Sequence, residues 1–247
     1  MEEKQIFKEW RAHAHEFSLG MERVCCGVFD QASNQYTRSP DTGMRAALRL
    51  GLRKPVEQFS QAAHKCVFDV ALHTDLTMVR EAWLTPDSAW LTPDSARLGP
   101  ARERAYYAVA AMIAAQARDA RDQSRLTTAS TVPPGGLGVS IAVMDRGESV
   151  EEETPREKEL RALSRLSLDG VHRALPDLVG HLRSEQIAVD WAQLILDLSS
   201  WLYRRDEVAK RWNQDYYRTR YKQAAAARDQ KNAHPSTTVG NQEGQTA

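Results

Sequence analysis

Apolar residues recur at three- and four-residue steps along most of the chain, the period of amphipathic helices. Ile6, Trp10, Ala14 and Phe17 share one face of a first predicted helix. Residues Ser33 to Thr42 are polar, and Met44 to Lys54 then predicts a short helix stopped by Pro55. A helix from Pro55 carries the stripe Val56, Phe59, Ala63, Cys66, Val67 and Val70 and continues toward Trp83. Tyr106, Val109, Ala110, Ile113 and Ala117 mark another helix, from Ala101 to about Arg121. Thr154, Pro155 and Glu157 set an N-cap, a first-turn proline and a capping-box acid in order, so a helix starts at Pro155. Pro176 is expected to interrupt it and open a further short helix through Ser184. Asp190 with Gln193 repeats the capping pattern ahead of the stripe Trp191, Leu194, Ile195, Leu198, Trp201 and Leu202. The last helix runs from Asp206 to about Arg228 with Val208, Trp212 and Tyr216 inward. No run sustains two-residue alternation of β-branched residues, so strands are marginal at most.

These elements predict an all-α fold, a helical bundle in two helical subdomains. Residues 1–121 form the first and 155–228 the second; residues 122–154 are a mobile loop or linker, and residues 229–247 are a disordered tail. The loop is read from DQSRLTTASTVPPGG, which joins polar residues to Pro-Pro-Gly-Gly. The tail is read from its Asn, Ser, Thr, Gly and Gln content, too polar to offset the entropy of ordering. Trp83 to Ala89 (WLTPDSA) is repeated at once as Trp90 to Ala96, and with a proline in each copy this stretch is expected to be an irregular connection.

Charge changes this picture only locally, because 33 Lys and Arg balance 33 Asp and Glu among the 247 residues. A nucleic-acid binder with no net charge must use patches. Three cysteines, Cys25, Cys26 and Cys66, do not make a disulfide framework and fit a reducing, cytoplasmic setting. The start MEEKQIFKEW has no basic region followed by an apolar run, and no apolar stretch is long enough to span a membrane.

Signatures of catalysis such as HExxH, paired CxxC, a Walker lysine loop or GxSxG are missing, so the reading is a protein without catalytic residues, metal or cofactor. Gly135, Gly136 and Gly138 approach a phosphate loop, but no strand precedes them and Ile141 stands where a small residue belongs. His13 and His15 with Cys25 and Cys26 are zinc-ligand types, yet alternate residues on a helix point about 200° apart, so surface histidines and packed thiols are expected.

Two basic rows stand out. Arg45, Arg49 and Arg53 fall at four-residue steps on one predicted helix, with Lys54 beside them and no acid between Thr42 and Pro55. Such a row can follow a phosphate backbone without reading sequence. Arg204, Arg211 and Arg218, with Lys222 four residues on and Tyr217 and Tyr221 alongside, form a second row able to hold backbone and stack an unpaired base. Its acids, Asp206, Glu207 and Asp215, are also placed to neutralise it.

The segment IAVDWAQLILDLSSWLYRRDEVAKRWNQDYYR resembles the end of CasB-type small subunits of the type I-E CRISPR assembly Cascade. LRSEQI at Leu182 to Ile187, Leu137-Gly138 with Ile141-Ala142, ERAYYAVAAMIAAQA and MRAALR at Met44 to Arg49 resemble their counterparts in the same order, from about Trp10 to Arg218. The WLTPDSA duplication, the acidic SVEEE stretch and the residues after Arg228 have no counterpart. The resemblance implies a non-catalytic, nucleic-acid-binding small subunit present in two copies beside the backbone and large subunits. It implies a role in antiviral defence, bracing guide RNA and target strand and holding the displaced strand of the R-loop. By position it points to Arg49 and Arg165, with Arg45 and Arg53 by helical face and Lys158 by adjacency. An autonomous helical DNA-binding regulator is the competing reading, with Met44 to Phe59 as its only helix-turn-helix candidate, broken by Pro55.

Overall fold

The last helical element organises the rest, because it is a hairpin. In the computed structural model, which describes residues 2–30, 35–73, 93–117, 120 and 135–233, the chain runs α1 (Glu2–Cys26), β1 (Val28–Asp30), β2 (Gln35–Arg38), α2 (Thr42–Arg49), a 3-10 turn (Val56–Gln58) and α3 (Gln61–His73). It continues as α4 (Pro93–Ala115), α5 (Leu137–Met144), α6 (Pro155–Leu163), α7 (Leu168–Ser184) and α8 (Trp191–Ala233). Arg204 leaves helical geometry (φ −127°, ψ 28°) and divides α8 into arms 191–203 and 205–233. On a straight helix, Asp197 and Trp212 would stand roughly 22 Å apart at 1.5 Å per residue. Instead the Trp212 Nε1 donates to Asp197 Oδ2 at 2.5 Å, and the Trp201 and Trp212 rings lie 4.9 Å apart. The arms therefore fold back on each other, as the separate stripes ending at Leu202 and starting at Asp206 predict.

The other helices pack around this hairpin: α1, α4 and α5 make its main contacts, and α2 lies on α4. One connected apolar cluster contains Phe17 and Met21 from α1, Ile113 from α4, Leu160 from α6, Leu175 from α7, and Trp201 and Trp212 from α8. Leu202, placed in the apolar stripe by spacing, is half exposed. The adjacent Tyr106 and Tyr107 of α4, both buried, bind two neighbours. Tyr106 meets His13 Nδ1 of α1 at 2.6 Å, and Tyr107 meets His64 Nδ1 of α3 at 2.7 Å. His13 is thus a core residue, not a surface one. Cys25 and Cys26 are buried thiols, and burial pushes the Cys25 pKa up.

Helix α5 lies within the stretch expected to be a linker, and its glycines explain why it fits there. A Cβ on Gly138 would stand 1.9 Å from the Trp212 carbonyl oxygen, so only glycine allows α5 so close to α8. The glycine-rich segment is a packing device. Residues 145–154 are then tied down: Tyr216 and Thr154 donate to Asp145 Oδ2 at 2.7 and 2.6 Å, and Arg220 donates to the Ser149 carbonyl at 2.6 Å.

The capping signals hold. Thr154 accepts from the Glu157 amide at 3.0 Å, and Asp190 accepts from the Gln193 amide at 2.9 Å. Four expectations change. The helix after Thr42 ends at Arg49, where the chain turns so tightly that a Cβ on Gly51 would sit 2.2 Å from the Phe59 ring. The expected helix from Pro55 is only a 3-10 turn at first, and α3 starts at Gln61. The second PDSA (93–96) opens α4, because proline suits a first helical turn whose amide has no partner; residues 83–92 lie outside the described ones. Pro176 does not break α7: the break comes earlier, where Ser167 accepts from the Gly170 amide at 3.2 Å and caps a new helix. One short antiparallel hairpin, β1 with β2, pairs Phe29 with Tyr36 and accompanies an otherwise helical fold. Helix α8 continues to Ala233, past the expected start of the tail at 229; residues 122–134 of the expected loop and residues 234–247 of the expected tail lie outside the described residues.

This packing sets two expected outcomes. Gly138→Ala is destabilising by about 1–3 kcal/mol, the usual cost of overpacking, and denaturant titration checks it; an unchanged midpoint contradicts the close approach of α5. Burial lowers the pKa of His13 from 6.5 to about 4 and that of His172 to about 3. The unfolded chain therefore binds protons that the folded chain refuses. Stability present above pH 6.5 is lost as pH falls toward 4, with each histidine contributing a slope of about 1.4 kcal/mol per pH unit. His13→Gln flattens that slope in denaturant titrations between pH 4 and 6.5; an unchanged slope contradicts the assignment.

Candidate nucleic-acid interface

Helix α2 is capped by Asp41, whose carboxylate accepts from the Met44 amide at 2.9 Å, and it turns Leu48 inward with Met44 and Ala47 packed against the core. That orientation leaves Arg49 exposed and Arg45, one turn earlier, half-buried at the same surface. Among the described residues neither side chain makes an ion pair, and Lys54 is exposed and likewise unpaired.

Arg53 is a correction to the predicted row. It lies beyond the end of α2 with a left-handed backbone (φ 67°), and its guanidinium Nη2 donates to Asp177 Oδ1 of α7. The helical four-residue step therefore unites Arg45 and Arg49 only. The turn still holds all four cations on one short segment, because the Lys54 amide bonds the Gly51 carbonyl at 3.0 Å and the Leu52 amide bonds the Arg49 carbonyl at 3.2 Å.

The second row is largely neutralised. Arg204 pairs with Glu207 at 2.7 Å and Arg218 with Asp215 at 3.3 Å, while Arg205 takes Asp206 at 3.0 Å. Tyr217 donates its hydroxyl to Glu157, so it is tied to α6, whereas Tyr221 and Lys222 are exposed. Arg211 has a structural partner: it donates to Asp197, a fully buried carboxylate that also accepts from Gln193 Nε2 at 2.7 Å and from Trp212. Burial raises the Asp197 pKa, and the Arg211 charge and the donors oppose that rise.

Arg165, named by resemblance, and Lys158, named by adjacency, divide as well. Lys158 stands 4.0 Å from Glu153, which Arg161 holds at 2.6 Å. Arg165, just after α6, is exposed and makes no ion pair among the described residues. The Tyr217–Glu157 bond brings Lys158 toward the second arm of α8, and the α2 cluster stands apart with Arg53 joined to α7.

Sequence reasoning missed that α7 borders the α2 cluster. Asp169, Arg173 and Asp177 lie at four-residue steps on α7, and the two acids take Arg104 and Arg53 respectively. The signal was a plain helical spacing, hidden because a break was expected at Pro176. Among the described residues no group of three metal-ligating side chains converges, and no helix is long and apolar enough to cross a membrane.

These contacts separate scaffold from surface among the arginines. Arg211→Gln leaves a buried carboxylate short of a charged donor and is expected to cost about 2 kcal/mol. Arg204→Gln and Arg218→Gln are expected to stay within about 0.5 kcal/mol, as exposed pairs do. Equal midpoints for all three variants in denaturant titration contradict the scaffold role of Arg211.

Comparison with known proteins accords with this geometry. A family model described as CRISPR-associated protein Cse2 matches residues 44–217, from the α2 cluster to the second arm of α8. Among solved structures, a chain of a CRISPR RNA-guided surveillance complex is 32% identical with a TM-score of 0.59, covering 88% of this chain and 99% of its own. A chain of a complex described as CRISPR RNA-guided surveillance complex, pre-nicking, is 34% identical with a TM-score of 0.61, covering 88% and 98%. The crystal structure of M. ruber CasB, 18% identical with a TM-score of 0.55 over 85% of this chain and 98% of its own, shares the fold. No curated protein matches the chain. A family match spanning α2 to α8, together with these two relatives above 30% identity, shows that the chain belongs to the CRISPR-associated Cse2 family, the CasB-type small subunits.

Proposed function

We propose that this chain is a non-catalytic, nucleic-acid-binding small subunit of a type I-E CRISPR surveillance complex in the cytoplasm. It braces guide RNA and target strand and stabilises the displaced strand of the R-loop during antiviral defence. Its partners are the backbone and large subunits of the complex and a second copy of itself. The solved relatives support a place in such an assembly, since they are chains of RNA-guided surveillance complexes.

The observation that carries the binding role is the cationic cluster of α2 and its turn. Arg45, Arg49 and Lys54 keep their charges unpaired among the described residues, while Arg204, Arg205 and Arg218 spend theirs on neighbouring acids. A phosphate backbone laid along the cluster releases counterions and gains affinity without base recognition. That suits a subunit in which guide pairing reads the sequence. The competing helix-turn-helix reading of Met44 to Phe59 is less suited, since that segment has a left-handed backbone at Arg53 and only a 3-10 turn at Val56–Gln58 where a second helix would lie.

Arg45→Glu with Arg49→Glu, assembled into the complex, is expected to weaken binding to unrelated DNA sequences alike. The log–log salt slope is expected to fall by about 0.7–0.9 for each phosphate contact removed. Circular dichroism verifies intact helices, and equilibrium binding at several salt concentrations gives the slope. Unchanged affinity and slope in the folded variant contradict the role of α2.

A further inference from the structure

Arg53 differs from its neighbours in the cluster because it already holds an anion. Its partner Asp177 lies 124 residues away on α7. We propose that Asp177 is a built-in competitor for phosphate at Arg53, holding that guanidinium in reserve until a nucleic-acid backbone displaces the carboxylate. The proposal rests on the reading of the α2 cluster as a phosphate-binding surface and adds how that surface is regulated.

The geometry suits a contact that opens. Both side chains are solvent-accessible, Arg53 at 48% and Asp177 at 70%, so the pair is of the exposed kind that contributes little to stability. A single bond, Nη2 to Oδ1, joins them, although a guanidinium carries five donors and takes phosphate in a bidentate grip. The backbone at Arg53 is meanwhile held in place. The left-handed turn is closed by the Lys54 amide on Gly51, and the Phe59 ring fills the space where a Gly51 side chain would be. Opening the pair therefore moves side chains and leaves the Cα of Arg53 beside Arg49 and Lys54. The related pair Arg104–Asp169, two turns earlier on α7, is less available because the Arg104 side chain is only 22% exposed.

The consequence is selectivity for a polyanion. A single small anion gains too little at Arg53 to displace a tethered carboxylate, whose effective concentration is high. A strand already seated on Arg45, Arg49 and Lys54 presents its next phosphate at no further translational cost. Removing the Asp177 charge makes Arg53 a free contact and also removes a like charge from the path of the backbone.

The test uses Asp177→Asn in the assembled complex, with equilibrium binding to unrelated single-stranded and duplex DNA at several salt concentrations. Affinity is expected to rise about two- to fivefold, the range for releasing an exposed pair. The log–log salt slope is expected to steepen by about 0.7–0.9, one added phosphate contact. Arg53→Gln in the Asp177→Asn background, which restores the wild-type net charge, abolishes both changes, and a gain that persists in the double variant places its source outside Arg53 and overturns the proposal. Unchanged or lower affinity in Asp177→Asn overturns it too. Failure of the underlying reading is distinct: Arg45→Glu with Arg49→Glu then leaves binding intact. A loss there with no gain from Asp177→Asn removes only the competitor role.

Discussion

The fold depends on one buried carboxylate. Asp197 sits on the first arm of α8 and collects Gln193 from its own arm with Arg211 and Trp212 from the other. A charge so deeply buried is tolerable only when such donors surround it. Meeting that demand requires the arms to fold back at Arg204, and Trp201 then lies against Trp212. The neighbouring helices take their positions from this hairpin. The Trp201 Nε1 reaches the Leu166 carbonyl at 3.1 Å and fixes the bend between α6 and α7, while the Trp212 carbonyl is the surface that Gly138 lets α5 approach. From there Tyr216, Asp145 and Thr154 continue the chain of bonds to the start of α6.

The same matching of partners explains how a chain with no net charge presents a cationic surface. Several of its arginines are committed inside the fold: Arg183 donates to the Gln116 side chain at 2.8 Å and the Ala120 carbonyl at 2.9 Å, Arg220 to loop carbonyls, and Arg211 to Asp197. Others, such as Arg156, Arg204 and Arg218, are met by acids three residues away on the surface. The acid-free stretch from Gly43 to Pro55 leaves its cations without local neutralisation. Among the described residues, only the long-range contact from Asp177 intrudes there. Charge pattern rather than charge total therefore carries the functional argument.

Local chemistry was legible in the sequence where it was complete within a few residues. Thr154-Pro155 and Asp190 announced helix starts because cap and amide lie three residues apart, and the stripes of Phe17, Ile113, Leu198 and Trp212 identified core faces by period alone. Features set by distant partners were not legible. Arg53 obeyed the four-residue spacing of Arg45 and Arg49, but the ring of Phe59 against Gly51 ends the helix before it. Pro176 suggested a break, yet a buried α7 keeps its course through it, and the missed continuity concealed that Asp177 faces the α2 turn. The basic row on α8 looked equivalent to the α2 row by spacing. Only the fold showed that Arg211 is spoken for by a buried acid.

The proposed path for nucleic acid is α2 and its turn rather than the end of α8, where Arg204, Arg205 and Arg218 already meet acids. Target DNA carrying photoreactive groups on its phosphates, bound to the assembled complex and cross-linked, tests this path directly when the attached peptides are identified by mass spectrometry. Attachment within residues 42–54 is the expected result; attachment confined to the stretch from Arg204 to Lys222 would contradict it.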